Sequence, residues 1–214
     1  MFEVEQKLRD NHVDDYNQVL HLYPRIDSNF TKSFESDFKF INERAILIPG
    51  KHKNSKWVDD AYILMGKVKM YRVKLDSAEK FFRYINNTFK DEKATQEAQL
   101  YLIQTFMLQN EPRYARMAED LVIKKEPIHR NELLYHKTLA DYYRMIEDYT
   151  KMLPHVEAAV QYEKLKDERA RLYYILGQLY RRAGQEEEAF AGSLYTTSTS
   201  YEASKFQGTK NYPA

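Results

Sequence analysis

The chain has 214 residues, of which 43% are hydrophobic and 30% charged, with 33 basic against 32 acidic side chains. This apolar share is enough for a buried core, whereas a net charge of +1 gives no broad positive field to attract nucleic acid. The absence of cysteine excludes disulfides, thiolate metal sites and a thiol nucleophile. Eighteen tyrosines, with only six glycines and six prolines, favour aromatic packing between helices over a turn-rich β protein. No apolar run is long enough to predict a membrane-spanning helix.

Residues 1–50 predict an N-terminal helical hairpin that caps the fold. Apolar residues from Val4 to Tyr23 approximate one helical face, which ends at Pro24. A second helical pattern begins at Phe34 and ends at Pro49-Gly50. Both helices lie outside the repeat that follows.

Residues 51–192 predict four repeats with a period of 37 residues. Four alignment columns share this period without gaps, which is the signature of a fold built from repeated units. The columns are a large apolar residue (Met65, Leu102, Leu139, Leu176), its neighbour (Gly66, Ile103, Ala140, Gly177), a position one turn later (Lys69, Phe106, Tyr143, Tyr180) and a position twelve residues on (Ala78, Ala115, Met152, Ala189).

The columns predict how each unit folds. In the first helix of a unit, helix A, a small residue beside a large one lets the second helix, helix B, approach closely. A short polar turn separates the two helices, and Gly184 suits a positive φ at that turn in the fourth unit. Pro127 falls between the second and third units, where a helix must stop. Each unit buries its apolar face only against its neighbours, so the sequence predicts an all-α stack of helical hairpins.

Residues 193–214 form a tail in which the repeat pattern fails. The run that starts at Ser193 is rich in threonine, serine and tyrosine and poor in strong helix formers. We expect an irregular or truncated C-terminus there.

The columns resemble the tetratricopeptide repeat (TPR) over residues 59–192. This resemblance implies a right-handed α-solenoid of antiparallel helical hairpins, whose concave groove binds another protein. The chain departs from the repeat at Lys69, Ile103 and Met152, and its period exceeds the usual 34 residues.

Two segments suggest a narrower relationship. Asp14-Asp15-Tyr16 with Tyr23-Pro24, and the run from Ser55 to Tyr62, resemble the TPR lipoproteins of Bacteroidetes that support gliding motility and type IX secretion. The resemblance implies a periplasmic, outer-membrane-associated accessory protein. The lipidated N-terminal cysteine of that family is missing, so the chain is expected to be a fragment that begins after the anchor.

The helix A groove is the predicted partner-binding site, placed by register with TPR proteins. Its first half is apolar and carries methionines, which adapt to varied surfaces, and its second half is basic. We therefore expect a partner segment with an apolar part and an acidic part. The predicted partner-binding residues are Ile63, Lys67, Met70, Tyr71, Gln104, Met107, Lys137, Arg144, Arg171, Tyr174, Gln178 and Arg181.

No residue pattern predicts catalysis, a cofactor or a metal site. His129 and His136 lie seven residues apart without an acidic residue to complete a zinc site, and packing explains His136 better. Asp59 and Asp60 point about 100° apart on a helix and suit its positive end better than a catalytic pair. The alternatives left open are a cytoplasmic scaffold or co-chaperone module and, less favoured by the neutral charge, an RNA-binding helical repeat.

Overall fold

A computed structural model describes residues 1–26 and 31–189, and the regular secondary structure in these ranges is helical. This confirms the predicted all-α class; the predicted tail at 193–214 lies outside the described residues. None of the described helices has the length and apolar character needed to cross a membrane. The helices are α1 (Phe2–Asp10), α2 (Glu35–Ala45), α3 (Leu47–Lys51), α4 (Val58–Tyr71), α5 (Leu75–Thr88), α6 (Glu92–Leu108), α7 (Pro112–Val122), the 3-10 turn His129–Asn131, α8 (Glu132–Met145), α9 (Tyr149–Tyr162) and α10 (Lys166–Arg182).

The N-terminal region differs from its predicted form. α1 ends at Asp10, so the single helix predicted from Val4 to Tyr23 is wrong beyond that point. Residues 12–26 are not helical. The asparagine, histidine, valine and aspartates that follow α1 have poor helix propensity. α1 itself packs through Val4 and Leu8 against α2 and α4.

The region after α2 also differs from its predicted form. The helix predicted to end at Pro49-Gly50 ends at Ala45, and both residues lie in the short α3. Pro49 is tolerated because it stands in the first turn of α3, where a backbone N–H has no intrahelical acceptor.

The repeat region consists of helices packed in neighbouring pairs. α4 packs with α5, α6 with α7 and α8 with α9, while α10 packs on α9 and begins the fourth unit. We call α4, α6, α8 and α10 the A helices and α5, α7 and α9 the B helices. Neighbouring A helices contact each other from α4 to α8. Two predicted columns are buried throughout, as expected for the contact between paired helices: Met65, Leu102, Leu139 and Leu176, and Ala78, Ala115, Met152 and Ala189.

A close approach in the first pair explains the glycine of its column. A Cβ atom added at Gly66 would lie 2.6 Å from a ring carbon of Phe82. The Phe82 ring is fully buried and stacks on Tyr101, so it has little room to move. Gly66 therefore permits α5 to pack against α4 at this point.

A residue in the left-handed backbone region follows each A helix. The φ angle is 56° at Val73, 57° at Asn110, 59° at Glu147 and 75° at Gly184, which repeats the 37-residue period. After each of them, a backbone N–H reaches back to the carbonyl five residues earlier, as from Lys74 to Lys69 at 2.9 Å. These bonds satisfy carbonyls at the end of the helix in a Schellman motif. The positive φ predicted at Gly184 is confirmed, and the other turns adopt it without glycine.

Val73 carries backbone strain that glycine would remove. A β-branched residue in the left-handed region costs about 1–3 kcal/mol. We expect Val73→Gly to raise the free energy of unfolding by about 1 kcal/mol, because the greater freedom of glycine in the unfolded chain cancels part of the gain. Urea denaturation measures the change. Gly184→Ala is the matched control, because a Cβ there meets no atom within 4 Å yet would have to adopt φ of 75°. This control should lower the free energy of unfolding by about 1 kcal/mol. If Val73→Gly left the free energy of unfolding unchanged, Val73 would not be strained.

Candidate protein-binding groove

Residues 12–26, which we call the strap, lie along the A helices α8 and α10. The strap contacts side chains that the sequence assigns to the partner-binding groove, among them Arg171 and Gln178. Two acidic residues, Asp14 and Asp15, lie near its start and apolar residues lie towards its end. This part of the groove therefore contains a segment of the same chain.

The acidic end of the strap is fixed by Arg171. The guanidinium donates to both carboxylate oxygens of Asp14, from Nη2 to Oδ1 at 2.6 Å and from Nε to Oδ2 at 3.0 Å. His12 Nε2 lies 3.0 Å from the same carboxylate. Burial raises the pKa of Asp14, but the hydrogen bonds and charges of Arg171 and His12 outweigh it, so the pKa lies below its usual value. Nearby, Tyr16 meets Tyr174 edge to face, with ring centroids 5.5 Å apart.

The middle of the strap is held through its main chain. Gln178 uses both atoms of its amide: Oε1 accepts from the Leu20 N–H at 3.1 Å, and Nε2 donates to the Gln18 carbonyl at 3.0 Å. Two residues further, the Leu22 N–H donates to Asp141 Oδ1 at 3.0 Å. These bonds satisfy main-chain groups of the strap that lie outside any helix.

The apolar end of the strap belongs to the main core. Val19, Leu20 and Leu22 are each at most 3% exposed and lie in the same cluster as the A helices. Burying one such side chain stabilises the fold by about 2 kcal/mol. The Tyr23 hydroxyl lies 3.1 Å from Thr138 Oγ1. The strap is thus an integral part of the folded structure.

α1 covers the first unit in a different way. Glu5 Oε1 lies 2.9 Å from Lys67 Nζ and accepts from the Tyr71 hydroxyl at 3.2 Å. Burial and the charge of Glu5 both raise the pKa of Tyr71, so the hydroxyl remains a donor. At the other end of α1, Arg9 Nε lies 3.7 Å from Glu168 Oε1.

A cavity of about 410 Å³ remains where the strap leaves the groove. Methionine, leucine and tyrosine side chains give it an apolar wall, and two arginines and one aspartate contribute charge. Arg144 Nε donates to Asp141 Oδ1 at 2.9 Å. Burial, reinforced by the charge of Arg144, lowers the pKa of His21, which is therefore neutral at pH 7. The cavity is lined by His21, Tyr23, Pro24, Arg25, Ile26, Met70, Tyr71, Gln104, Met107, Leu108, Asn110, Asp141, Arg144 and Met145.

Ten of the twelve predicted partner-binding residues contact the strap or α1 or line the cavity, and Tyr71 does both. Ile63 is buried in the core, at 4% exposure, and Arg181 is exposed. Lys137 lies 3.0 Å from Glu168 and above the ring of Tyr23. Those that bind the strap or α1 are Lys67, Tyr71, Lys137, Arg171, Tyr174 and Gln178. Those that line the cavity are Met70, Tyr71, Gln104, Met107 and Arg144.

The histidines singled out from the sequence lie apart. His129 is in the 3-10 turn, 2.9 Å from Glu132, whereas His136 is in α8 with its Nδ1 3.0 Å from that of His155. Across residues 1–26 and 31–189, no three histidine or acidic side chains are close enough to hold a metal ion. The aspartate pair at the start of α4 lies in its first turn, and Asp60 pairs with Arg130.

Sequence reasoning missed the strap itself and its contact Thr138. The pattern Leu20-x-Leu22, with period two, was the available signal for an extended segment. It was masked by apolar residues three and four apart in the same stretch, which fit a helix equally well.

Comparison of the sequence with protein-family models gives no match, and comparison with curated proteins gives no significant one.

Proposed function

We propose that this chain is a non-enzymatic protein-interaction scaffold, a TPR-like right-handed solenoid that binds a partner segment along its A helices. The observation that carries the proposal is the strap: these helices bind a non-helical protein segment through its main chain and through its acidic and apolar side chains. Side chains that recognise a backbone in this manner suit protein ligands. The cavity is the part of the groove that the strap leaves for a partner.

The biological setting follows from the resemblance alone. The segments around Asp14 and Trp57 resemble TPR lipoproteins of gliding and secreting Bacteroidetes. On that basis we propose a periplasmic, outer-membrane-associated adaptor in a type IX secretion or gliding-motility assembly. Its partner would present an apolar residue close to a carboxylate, because the cavity joins methionines to Arg25 and Arg144.

Affinity capture tests this function. The full chain is used as bait in detergent-solubilised envelopes of a Bacteroidetes cell, and mass spectrometry identifies the bound proteins. We expect secretion or motility components, with recovery reduced about tenfold in the double variant Arg25→Glu/Arg144→Gln, since a charge-assisted hydrogen bond contributes roughly 1.5–3 kcal/mol.

The matched control is Arg113→Glu, which changes an exposed arginine of the B helix α7 that neither lines the cavity nor belongs to the predicted binding residues. Its recovery should equal that of the unmodified chain. Recovery of cytoplasmic chaperones alone would discard the envelope assignment, and equal loss in both variants would discard the cavity as the binding site.

A further inference from the structure

One polar column runs along the A helices with the 37-residue period. It consists of Lys67, Gln104, Asp141 and Gln178, one residue from each of the four A helices. Because the period is constant, the four side chains occupy equivalent positions in successive units. Their contacts can therefore be compared directly.

The N-terminal region contacts three of the four members. Lys67 pairs with Glu5 of α1 at 2.9 Å. Asp141 and Gln178 hydrogen-bond alternate residues of the strap, at the N–H groups of Leu22 and Leu20. Two strap residues that are two positions apart thus each present a main-chain N–H to one of two successive column members.

The strap cannot continue this pattern to Gln104. The next alternate residue is Pro24, which has no N–H to donate. Gln104 instead donates from Nε2 to Thr138 Oγ1 at 2.8 Å, and its side chain lines the cavity. The cavity therefore lies beside the column member that the strap passes without a main-chain bond.

The charge of the cavity defines what it accepts. Among the described residues that line it, the two guanidinium groups of Arg25 and Arg144 stand against the carboxylate of Asp141. That carboxylate already accepts hydrogen bonds from Leu22 and Arg144. Both arginines line the same cavity as the apolar side chains of Met107 and Met145.

We propose that the cavity binds an extended segment of a partner protein in which an apolar residue is followed directly by an acidic one. The apolar side chain enters between Met107 and Met145, and the carboxylate pairs with the two arginines. The Gln104 carboxamide hydrogen-bonds the main chain of the partner segment, just as Gln178 hydrogen-bonds the main chain of the strap. This rests on the proposed function and deepens it by giving the order of the two side chains and the main-chain contact at Gln104.

The test uses the full chain with methyl-¹³C methionine and NMR detection. The probe is the blocked peptide acetyl-Gly-Leu-Asp-Gly-amide. We expect saturable shifts of the Met107 and Met145 methyl signals and none at Met117, which is 63% exposed on α7 and lies outside the cavity. The same peptide with lysine in place of aspartate should bind at least tenfold more weakly. Equal shifts at Met117, or equal binding of the lysine peptide, would overturn the proposal.

Two further binding experiments distinguish recognition of a peptide from recognition of any small apolar acid. Isovalerate carries the apolar group and the carboxylate without a peptide main chain, and it should bind at least fivefold more weakly than the peptide. Gln104→Met should weaken peptide binding about fivefold, since one neutral hydrogen bond contributes about 1 kcal/mol. Gln109→Met should not, because the half-buried Gln109 lies outside the cavity and bonds Asp76 instead. If isovalerate bound as tightly as the peptide, or if Gln104→Met bound the peptide as tightly as the unmodified chain, the proposed hydrogen bond from Gln104 to the main chain would be rejected.

These outcomes differ from failure of the scaffold function. Capture of envelope proteins that depends on the cavity arginines, without methyl shifts from the peptide, would reject only this choice of segment. Methyl shifts without capture would leave the cavity chemistry standing and reject the proposed assembly.

Discussion

Replacing Leu22 with alanine is expected to lower the free energy of unfolding by about 3 kcal/mol, although this residue lies outside every helix. Its side chain is 1% exposed in the core formed by the A helices. Truncating a buried leucine removes its transfer free energy and leaves a cavity, which together cost about 2–5 kcal/mol. The backbone bond to Asp141 is unaffected, so the change reports packing alone. Urea denaturation followed by circular dichroism gives the value.

Val13→Ala is the matched control within the same strap. Val13 is 87% exposed, so its truncation should change stability by less than 0.5 kcal/mol. Limited proteolysis measures the stability of the strap itself, because a strap released from the groove would be cleaved well before the helices unfold. If Leu22→Ala and Val13→Ala had equal stability, the strap would not be part of the core.

Acidification is expected to destabilise the protein through the pair of histidines between α8 and α9. Burial, with the charge of His136, lowers the pKa of His155 to about 4, and burial also lowers the pKa of His136. In the unfolded chain both rings titrate near 6.5. As the pH falls from 6.5 to 4, the unfolded state binds protons that the folded state does not, so stability falls. The loss from His155 is about 3 kcal/mol at the lower end of this range.

The surroundings of the pair explain why neither ring is charged. The Nδ1 atoms are 3.0 Å apart, so one donates to the other when both are neutral. The groups that face the pair are mostly aromatic, with one carboxylate: Tyr135, Tyr143, Tyr162 and Glu132.

Denaturation between pH 7 and 4 in two variants isolates this effect. The double variant His136→Phe/His155→Phe keeps aromatic rings without titration, and its stability should fall about 3 kcal/mol less than that of the unmodified chain. His52→Gln is the control, because His52 is exposed and follows α3, outside the two helices that hold the pair, and the stability of this variant should depend on pH as that of the unmodified chain does. If the free energy of unfolding changed equally with pH in all three proteins, the histidine pair would not govern the loss of stability in acid.

Much of the fold was predictable because it repeats. The columns at Met65 and Ala78 recur every 37 residues, and a constant period predicts helix pairs more reliably than any single helix pattern does. The positive φ at Gly184 followed from glycine itself, whereas Val73 and Glu147 adopt the same angle although neither residue type favours it. Single-residue propensity could not indicate this at valine.

The strap was not predictable by the same means. Its conformation depends on Gln178 and Asp141, more than a hundred residues away, and no local pattern encodes such contacts. Register places Arg171 in the groove. The pattern of residues 4–23, however, places Asp14, the hydrogen-bond partner of Arg171, in a helix. Where the chain has no repeat, the sequence left two periodicities open, and tertiary contacts decide between them.

Leu20 and Gln178 are 158 residues apart, so their contact determines the order in which parts of this protein can fold during synthesis. A ribosome adding roughly 5–20 residues per second takes about 8–32 s to go from one to the other. During that time the helix pairs can form from local contacts, while the buried leucines of the N-terminal segment have no complete surface to cover them. Their docking is therefore a closing step, possible only once the fourth A helix has been made. Chains interrupted before that helix would keep these leucines exposed, in the form that chaperones and proteases recognise.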